Sequence, residues 1–456
     1  MPLGRTPLIA ALTAVAFFAL AAPGLAATPI VAGGAPVTVT TTTAGQNVTL
    51  TFSGTPGMRV SLKMSDVTIG TSSCCSTKVS MLKPDGTALV KPTSVGRLGG
   101  FFDPRVLPVN GTYKIFVDPQ DAATGSMTLT LYAVPPDLTG SIAFGGAPVT
   151  VDLGTPGQNA RLSFTGAVGH RVSVDVSGVT MEAAKVSVLK PDGTALAAAL
   201  PVTENGGFLG PYALPVAGTY KVFVNPTRAA TGSATLKLYD VPPDLSGSIT
   251  AGGPAQTLTL STPGQNARLS FTGAAAQRVS LKLSGVTIGT SSCCGAKVWL
   301  LKPDGTALVP KTYFGTNGLF VDTKTLPVAG TYKLVLDPQL GATGSVTVQL
   351  YSVPADLAGT MTIGGPSVTA TFSVPGQNGR YTFAGTANKF LTLTVSGLTM
   401  NGSTKFTVRN PDGTTLFAGF VSSDRTLTMT LPVAGTYSLA LDPSGAATGS
   451  MTLALS

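Results

Sequence analysis

The chain of 456 residues is poor in the side chains that move protons: it has one histidine, His170, and two glutamates, Glu182 and Glu204. Charged residues make up 11% of it, against roughly a quarter in an average globular protein. With 43% apolar residues the scarcity of charge does not mean disorder, because there is ample material for buried cores. Beyond the N-terminus no apolar run is long enough to span a bilayer, and no stretch keeps a 3.6-residue apolar period, so long helices are excluded. The scarcity of acids and histidine removes most hydrolytic and metal chemistry, and the expectation is a protein that is not an enzyme and uses no cofactor.

What is present is turn chemistry, carried by 55 glycines and 34 prolines. Arg5, the apolar run Leu8 to Ala22, Pro23 and the small residues Ala26 and Ala27 follow the order of a secretory leader, giving a signal peptide over 1–26 with cleavage after Ala26 or Ala27. Removing Arg5 leaves 28 basic and 20 acidic residues, a charge of +8. The mature chain is expected to be secreted, extracellular or at the cell surface, with no transmembrane segment.

A Gly-Gln-Asn string recurs at Gly45, Gly157, Gly264 and Gly376, spaced by 112, 107 and 112 residues. Pro-Asp-Gly (Pro84, Pro191, Pro303, Pro411), Gly-Thr-Tyr (Gly111, Gly218, Gly330, Gly435) and Ala-Thr-Gly-Ser (Ala123, Ala230, Ala342, Ala447) keep step with it. A period above 100 residues is too long for a solenoid or propeller unit and means tandem domains, each with its own core. Linker strings Val134 to Leu138, Val241 to Leu245 and Val353 to Leu357 place the units at 27–138, 139–245, 246–357 and 358–456, and their prolines make the joints short and stiff.

Within a unit, apolar and polar residues alternate in runs of five to eight, as in Val172, Val174 and Val176 against Ser173 and Asp175. Seven to nine such runs per unit, separated by turns, predict an all-β chain: a tandem array of four antiparallel, jelly-roll-like β-sandwiches behind the leader. The succession Leu-Lys-Pro-Asp-Gly-Thr, Leu326 to Pro338 and Gly344 to Tyr351 resembles the C-terminal half of bacterial pre-peptidase C-terminal domains. The units also resemble modules of exported Rhs-type repeat proteins. The resemblance implies secreted β-sandwich modules appended to exported proteases and surface proteins. The calcium site of some relatives needs clustered acids, and none map here; the Pro-Asp-Gly and Asp-Pro aspartates read as turn residues.

All four cysteines form adjacent pairs, Cys74-Cys75 and Cys293-Cys294, in a Val-Thr-Ile-Gly-Thr-Ser-Ser-Cys-Cys string beginning at Val67 and Val286. From its Thr to the next Pro-Asp-Gly is 16 residues in units one and three, 11 in unit two and 12 in unit four, so the cysteines ride on an inserted loop. A bond between neighbours is favoured over a link between units one and three, although Cα atoms about 3.8 Å apart are closer than the roughly 4.4–6.8 Å of ordinary disulfides. Two cysteines per unit, far from His170, do not make a zinc site.

Trp299, the only tryptophan, stands where sister units have Ser80, Ser187 and Thr407, at an outward strand position. Tyr313 and Phe314 follow in what reads as a variable loop. These three residues are the candidate ligand contacts. Basic residues are scattered singly, which excludes nucleic acid. The reading is a non-enzymatic binding or scaffolding protein of the bacterial surface that contacts glycan or protein; the alternatives are a passive spacer or an accessory module of an exported hydrolase system.

Overall fold

The computed structural model describes residues 27–456, and the expected leader lies outside the described residues. Unit one contains β1 (Thr28–Pro29), β2 (Val37–Thr41), β3 (Val48–Gly54), β4 (Arg59–Ser65), β5 (Thr77–Leu82), β6 (Ala88–Val95), β7 (Gly100–Val106), β8 (Gly111–Pro119) and β9 (Gly125–Ala133). They form a five-stranded sheet, β1-β3-β8-β5-β6, facing a four-stranded sheet, β2-β9-β4-β7, and the same order recurs in the other three units. Without β1 this is the eight-stranded jelly roll of two interlocked Greek keys. The fold is all-β, with four tandem sandwiches.

One feature departs from the antiparallel expectation. β1 and its counterparts run parallel to β3 and its counterparts. In the later units this strand starts at Leu138, Leu245 and Leu357, so the end of each linker string is itself the first strand of the next sandwich.

Strict alternation builds each core, as in β9, where Met127, Leu129 and Leu131 point inward and are fully buried. At the centre of each unit a buried tyrosine stacks on a phenylalanine: Phe52–Tyr113, Phe164–Tyr220, Phe271–Tyr332 and Phe383–Tyr437, with ring centroids 5.3–5.5 Å apart. Each hydroxyl donates to the carbonyl four residues upstream, Tyr113 to Val109 at 2.8 Å and Tyr220 to Val216 at 2.6 Å, which satisfies the one polar atom that burial would strand. The Gly-Thr-Tyr and Pro-Asp-Gly motifs meet in space. Gly111 has φ +143°, and a Cβ there would lie 2.8 Å from the Pro84 ring, so the position takes glycine on both counts.

Each joint repeats one set of contacts. The linker aspartate bridges an arginine of the preceding unit and one of the following unit: Arg59–Asp137–Arg161 at 2.9 and 2.8 Å, Arg171–Asp244–Arg268 at 2.9 and 2.9 Å, and Arg278–Asp356–Arg380 at 2.6 and 3.6 Å. A buried serine on β4 or its counterpart donates to the proline carbonyl of the next unit's Pro-Gly-Gln-Asn loop: Ser61 to Pro156 at 2.8 Å, Ser173 to Pro263 at 2.8 Å and Ser280 to Pro375 at 2.7 Å. The loop glutamine ties the linker from the other side, Gln158 Nε2 to Pro136 O at 3.1 Å, Gln265 to Pro243 at 3.0 Å and Gln377 to Ala355 at 3.0 Å. In unit one the same glutamine turns back on its own loop, accepting from the Thr42 amide at 2.8 Å.

Candidate functional site

The outer face of the five-stranded sheet of unit three carries Trp299 on the strand Ala296–Leu301. Trp299 is half-buried, and its cross-strand partner is Val335, 1% exposed although it too is on the outer face. The equivalent pairs are Phe116 with Ser80, Phe223 with Ser187 and Ala440 with Thr407. Units one, two and three therefore each place one large aromatic side chain on this pair, and in unit three it has moved to the neighbouring strand. Trp299 is a repacked form of a shared outer-face contact, and only part of its surface is open.

Tyr313 and Phe314 do not lie in a loop. Both belong to the strand Ala307–Phe314, paired with Ala296–Leu301, and alternation sends them to opposite faces. Phe314 is 1% exposed and packs in the core, at the position of the buried Val95, Val202 and Val421, so the expectation that it contacts a ligand is corrected. Tyr313 is 51% exposed and shares the outer face with Trp299. Lysines attend both rings: Lys297 Nζ is 4.7 Å from the Tyr313 centroid and Lys311 Nζ is 4.9 Å from that of Trp299. Asp337, opposite Lys297 on the next strand, has its carboxyl pushed above the ordinary range by burial, with Lys297 and Lys311 pulling it partly back.

The cysteine loops lie at the base of this hairpin. Cys74 is bonded to Cys75 and Cys293 to Cys294, and all four residues are exposed. Ser291 Oγ accepts from the amides of Cys293 and Cys294 at 3.4 and 3.1 Å. The carbonyls of Ser291 and Ser292 then accept from the amides of Thr316 and Asn317, in the turn that joins the two sheets, at 3.0 and 3.3 Å. In unit one Ser72 and Ser73 hold Arg97 and Leu98 the same way, at 3.1 and 3.4 Å. The inserted loop thus braces the turn 315–318, through which the strand that carries Lys311 and Tyr313 crosses to the four-stranded sheet. This bracing role was not foreseen from sequence, because the turn is more than twenty residues away from the cysteines.

The remaining candidates stay apart. His170 is exposed, edge-on to Phe144 at 6.0 Å. Glu182 lines a groove of about 640 Å³ between units one and two, with Lys63, Asp66, Arg97 and Arg228. Glu204 is in the turn between Leu200–Val202 and Gly207–Ala213 of unit two, outside that lining. The Pro-Asp-Gly aspartates cap their own turns: Asp85 Oδ1 accepts from the side chain and amide of Thr87 at 2.7 and 2.8 Å, which holds its carboxyl low. Among the described residues no group of three or more His, Cys, Asp or Glu is placed to hold a metal, and no helix is long and apolar enough to cross a membrane.

No family model matches the chain, and no curated protein sequence matches it either. Solved structures give distant likenesses to β-sandwich modules. The pre-peptidase C-terminal domain of a Bacillus anthracis collagenase aligns at 13% identity over 23% of this chain and 98% of its own, with a TM-score of 0.18. The CUB1-EGF-CUB2 domains of human MASP-1/3 align at 9% identity over 45% of this chain and all of theirs, TM-score 0.16. The M60 catalytic domain with CBM51-1 and CBM51-2 of Clostridium perfringens ZmpB aligns at 9% identity, covering 88% of this chain and 55% of that one, TM-score 0.16. Scores this low carry nothing about ligand or activity.

Proposed function

We propose that the chain is an exported, non-enzymatic scaffold of the bacterial cell surface. In this reading four docked sandwiches, of the kind its motifs share with pre-peptidase C-terminal domains and exported Rhs-type proteins, hold the outer sheet face of unit three toward an extracellular glycan or protein. The observation that carries it is the joint. Three linkers repeat one Arg–Asp–Arg bridge, one serine-to-proline bond and one glutamine tie, an investment in fixed spacing that suits a scaffold. The contact patch is Tyr313 and Trp299 with Lys297 and Lys311, where aromatic surface and ammonium groups lie side by side.

Glycan arrays and pull-down on isolated cell walls with the mature chain test the binding half. Retention that falls roughly tenfold in Tyr313→Ala and in Lys311→Ala is expected. If the wild-type chain is not retained on either support, the passive-spacer reading replaces it. Intact mass of the exported protein tests the leader, with a start at Ala27 or Thr28 expected.

A further inference from the structure

The outer face of the four-stranded sheet is the face that docks the next unit in units one to three, and it bears Arg59, Ser61 and Lys63, or Arg171, Ser173 and Asp175, or Arg278, Ser280 and Lys282. In unit four the corresponding positions are Phe390, Thr392 and Thr394. The phenylalanine that each earlier unit sets beside the joint, Phe101, Phe208 or Phe320, opposite Lys63, Asp175 or Lys282, is replaced by Thr426, opposite Thr394. What takes the place of the docking groups is a field of threonines. Thr426, Thr428 and Thr430 alternate outward with the buried Leu427, Met429 and Leu431, and Thr394 and Thr392 stand directly opposite Thr426 and Thr428. Thr369 and Thr452 continue the field across the sheet, with their hydroxyls 3.3 Å apart.

Two further observations make this more than a solvated strand surface. In units one to three this strand pair is interrupted by a bulge, whereas in unit four seven consecutive residue pairs run without a register shift. Bulges add local twist, so their absence leaves the two threonine columns as a regular grid, about 4.8 Å between strands and ~6.8 Å along them. The outward positions of these strands also hold no Lys, Arg, Asp or Glu; Lys389 and Arg425, at strand ends, have the parity of the core side. This face therefore lacks the ionic hydration that Lys, Arg, Asp and Glu, the residues most often exposed, ordinarily bring to a protein surface.

We propose that this face adsorbs to ice. A charged side chain orients its hydration shell around itself, in conflict with a crystalline lattice of water. A threonine offers a hydroxyl that both donates and accepts and a methyl group that does neither. Repeated on a grid, the two order water in rows that can join an ice surface. A protein occupant would need the Arg, Ser and Phe of the other joints, and all three are replaced here. A sugar polymer would need aromatic platforms, and only Phe390 stands on this face, at its corner.

The test is uptake of the full mature chain into a slowly grown ice boss, read as the protein concentration in melted ice against that in the remaining liquid. Wild type is expected to enter the ice, Thr394→Lys with Thr428→Lys to fall by roughly tenfold or more, and Thr40→Lys, on unit one, to behave as wild type. If the lysine pair disturbs the near-ultraviolet dichroism, Thr394→Ser with Thr428→Ser keeps the hydroxyls and is expected to lower uptake severalfold through loss of the methyl groups. Exclusion of the wild-type chain from ice overturns the proposal, including when the chain is instead retained on crystalline chitin or cellulose. Equal uptake of wild type and the threonine-replaced chains overturns it as well.

Discussion

Trp299 shows how a single residue can look functional and be partly architectural. Its ring covers Val335, as Phe116 and Phe223 occupy the same cross-strand pair from the opposite strand in units one and two. Trp299→Ser removes the aromatic member of a pair whose other member is already small. The expected cost to unit three is about 1–2 kcal/mol, part of the roughly 1.5–3 kcal/mol that full burial of a large side chain brings. Adding Val335→Phe to that variant rebuilds the pair of units one and two and is expected to recover most of the loss. Denaturant melts of the three chains decide it; no recovery in the double variant would mean that Trp299 does not serve as the displaced aromatic. The outward parity of Trp299 was legible because five residues of alternation surround it. The inward parity of Phe314 was not, since Pro310 and the bulge opposite Trp299 hide the strand that carries it.

At the scale of the element, the joint was legible only as a stiff linker. Pro-Gly-Gln-Asn reads as a turn, and nothing in one copy tells that its proline carbonyl receives a serine from another unit. The one available signal was the exception, Ala44 in place of proline in unit one. The joints also titrate. Burial pushes the carboxyls of Asp137 and Asp244 up, but hydrogen bonds and charge from their paired arginines outweigh it and leave both below the ordinary value. A lowered folded-state value contributes stability above the ordinary aspartate pKa of about 3.9, and that contribution is lost as pH falls from there through the lower value. The first two joints are therefore expected to loosen below about pH 4 while the cores hold, seen as a larger radius of gyration in scattering with unchanged near-ultraviolet dichroism. Asp337 and Asp442 act in the opposite sense: burial raises them, so they favour the folded state at low pH and oppose it as pH rises through their raised values. Neutral-pH dimensions that persist, as pH is lowered, until the near-ultraviolet dichroism itself is lost would remove the bridges from any part in holding the array.

For the whole molecule, four cores make four folding units, and the joints decide whether they behave as one body. Tandem sandwiches were legible from the repeat, since a period above 100 residues leaves room for a core in each copy. Their docking was not, because it depends on residues about 95 positions apart, such as Ser280 and Pro375. Asp244→Ala severs the middle joint alone, leaving Arg171 and Arg268 without their shared carboxylate. Arg268 donates a hydrogen bond to Asp244 and Arg171 is ion-paired with it at 2.9 Å; a hydrogen bond to a charged group is worth about 1.5–3 kcal/mol, less where exposed as at Arg268, and losing both contacts is expected to populate open arrangements. The expected result is a chain of two rigid halves joined by a hinge. Spin labels on units two and three would then report a broadened distance distribution, while a label pair across units one and two keeps its narrow one. Asp85→Ala, which removes a more exposed carboxyl that belongs to no joint, should leave both distributions narrow. An unbroadened distribution in Asp244→Ala would show that the buried Ser173 and the Gln265 tie suffice to dock unit three, and the scaffold would owe its spacing to those neutral bonds and not to the charged bridge.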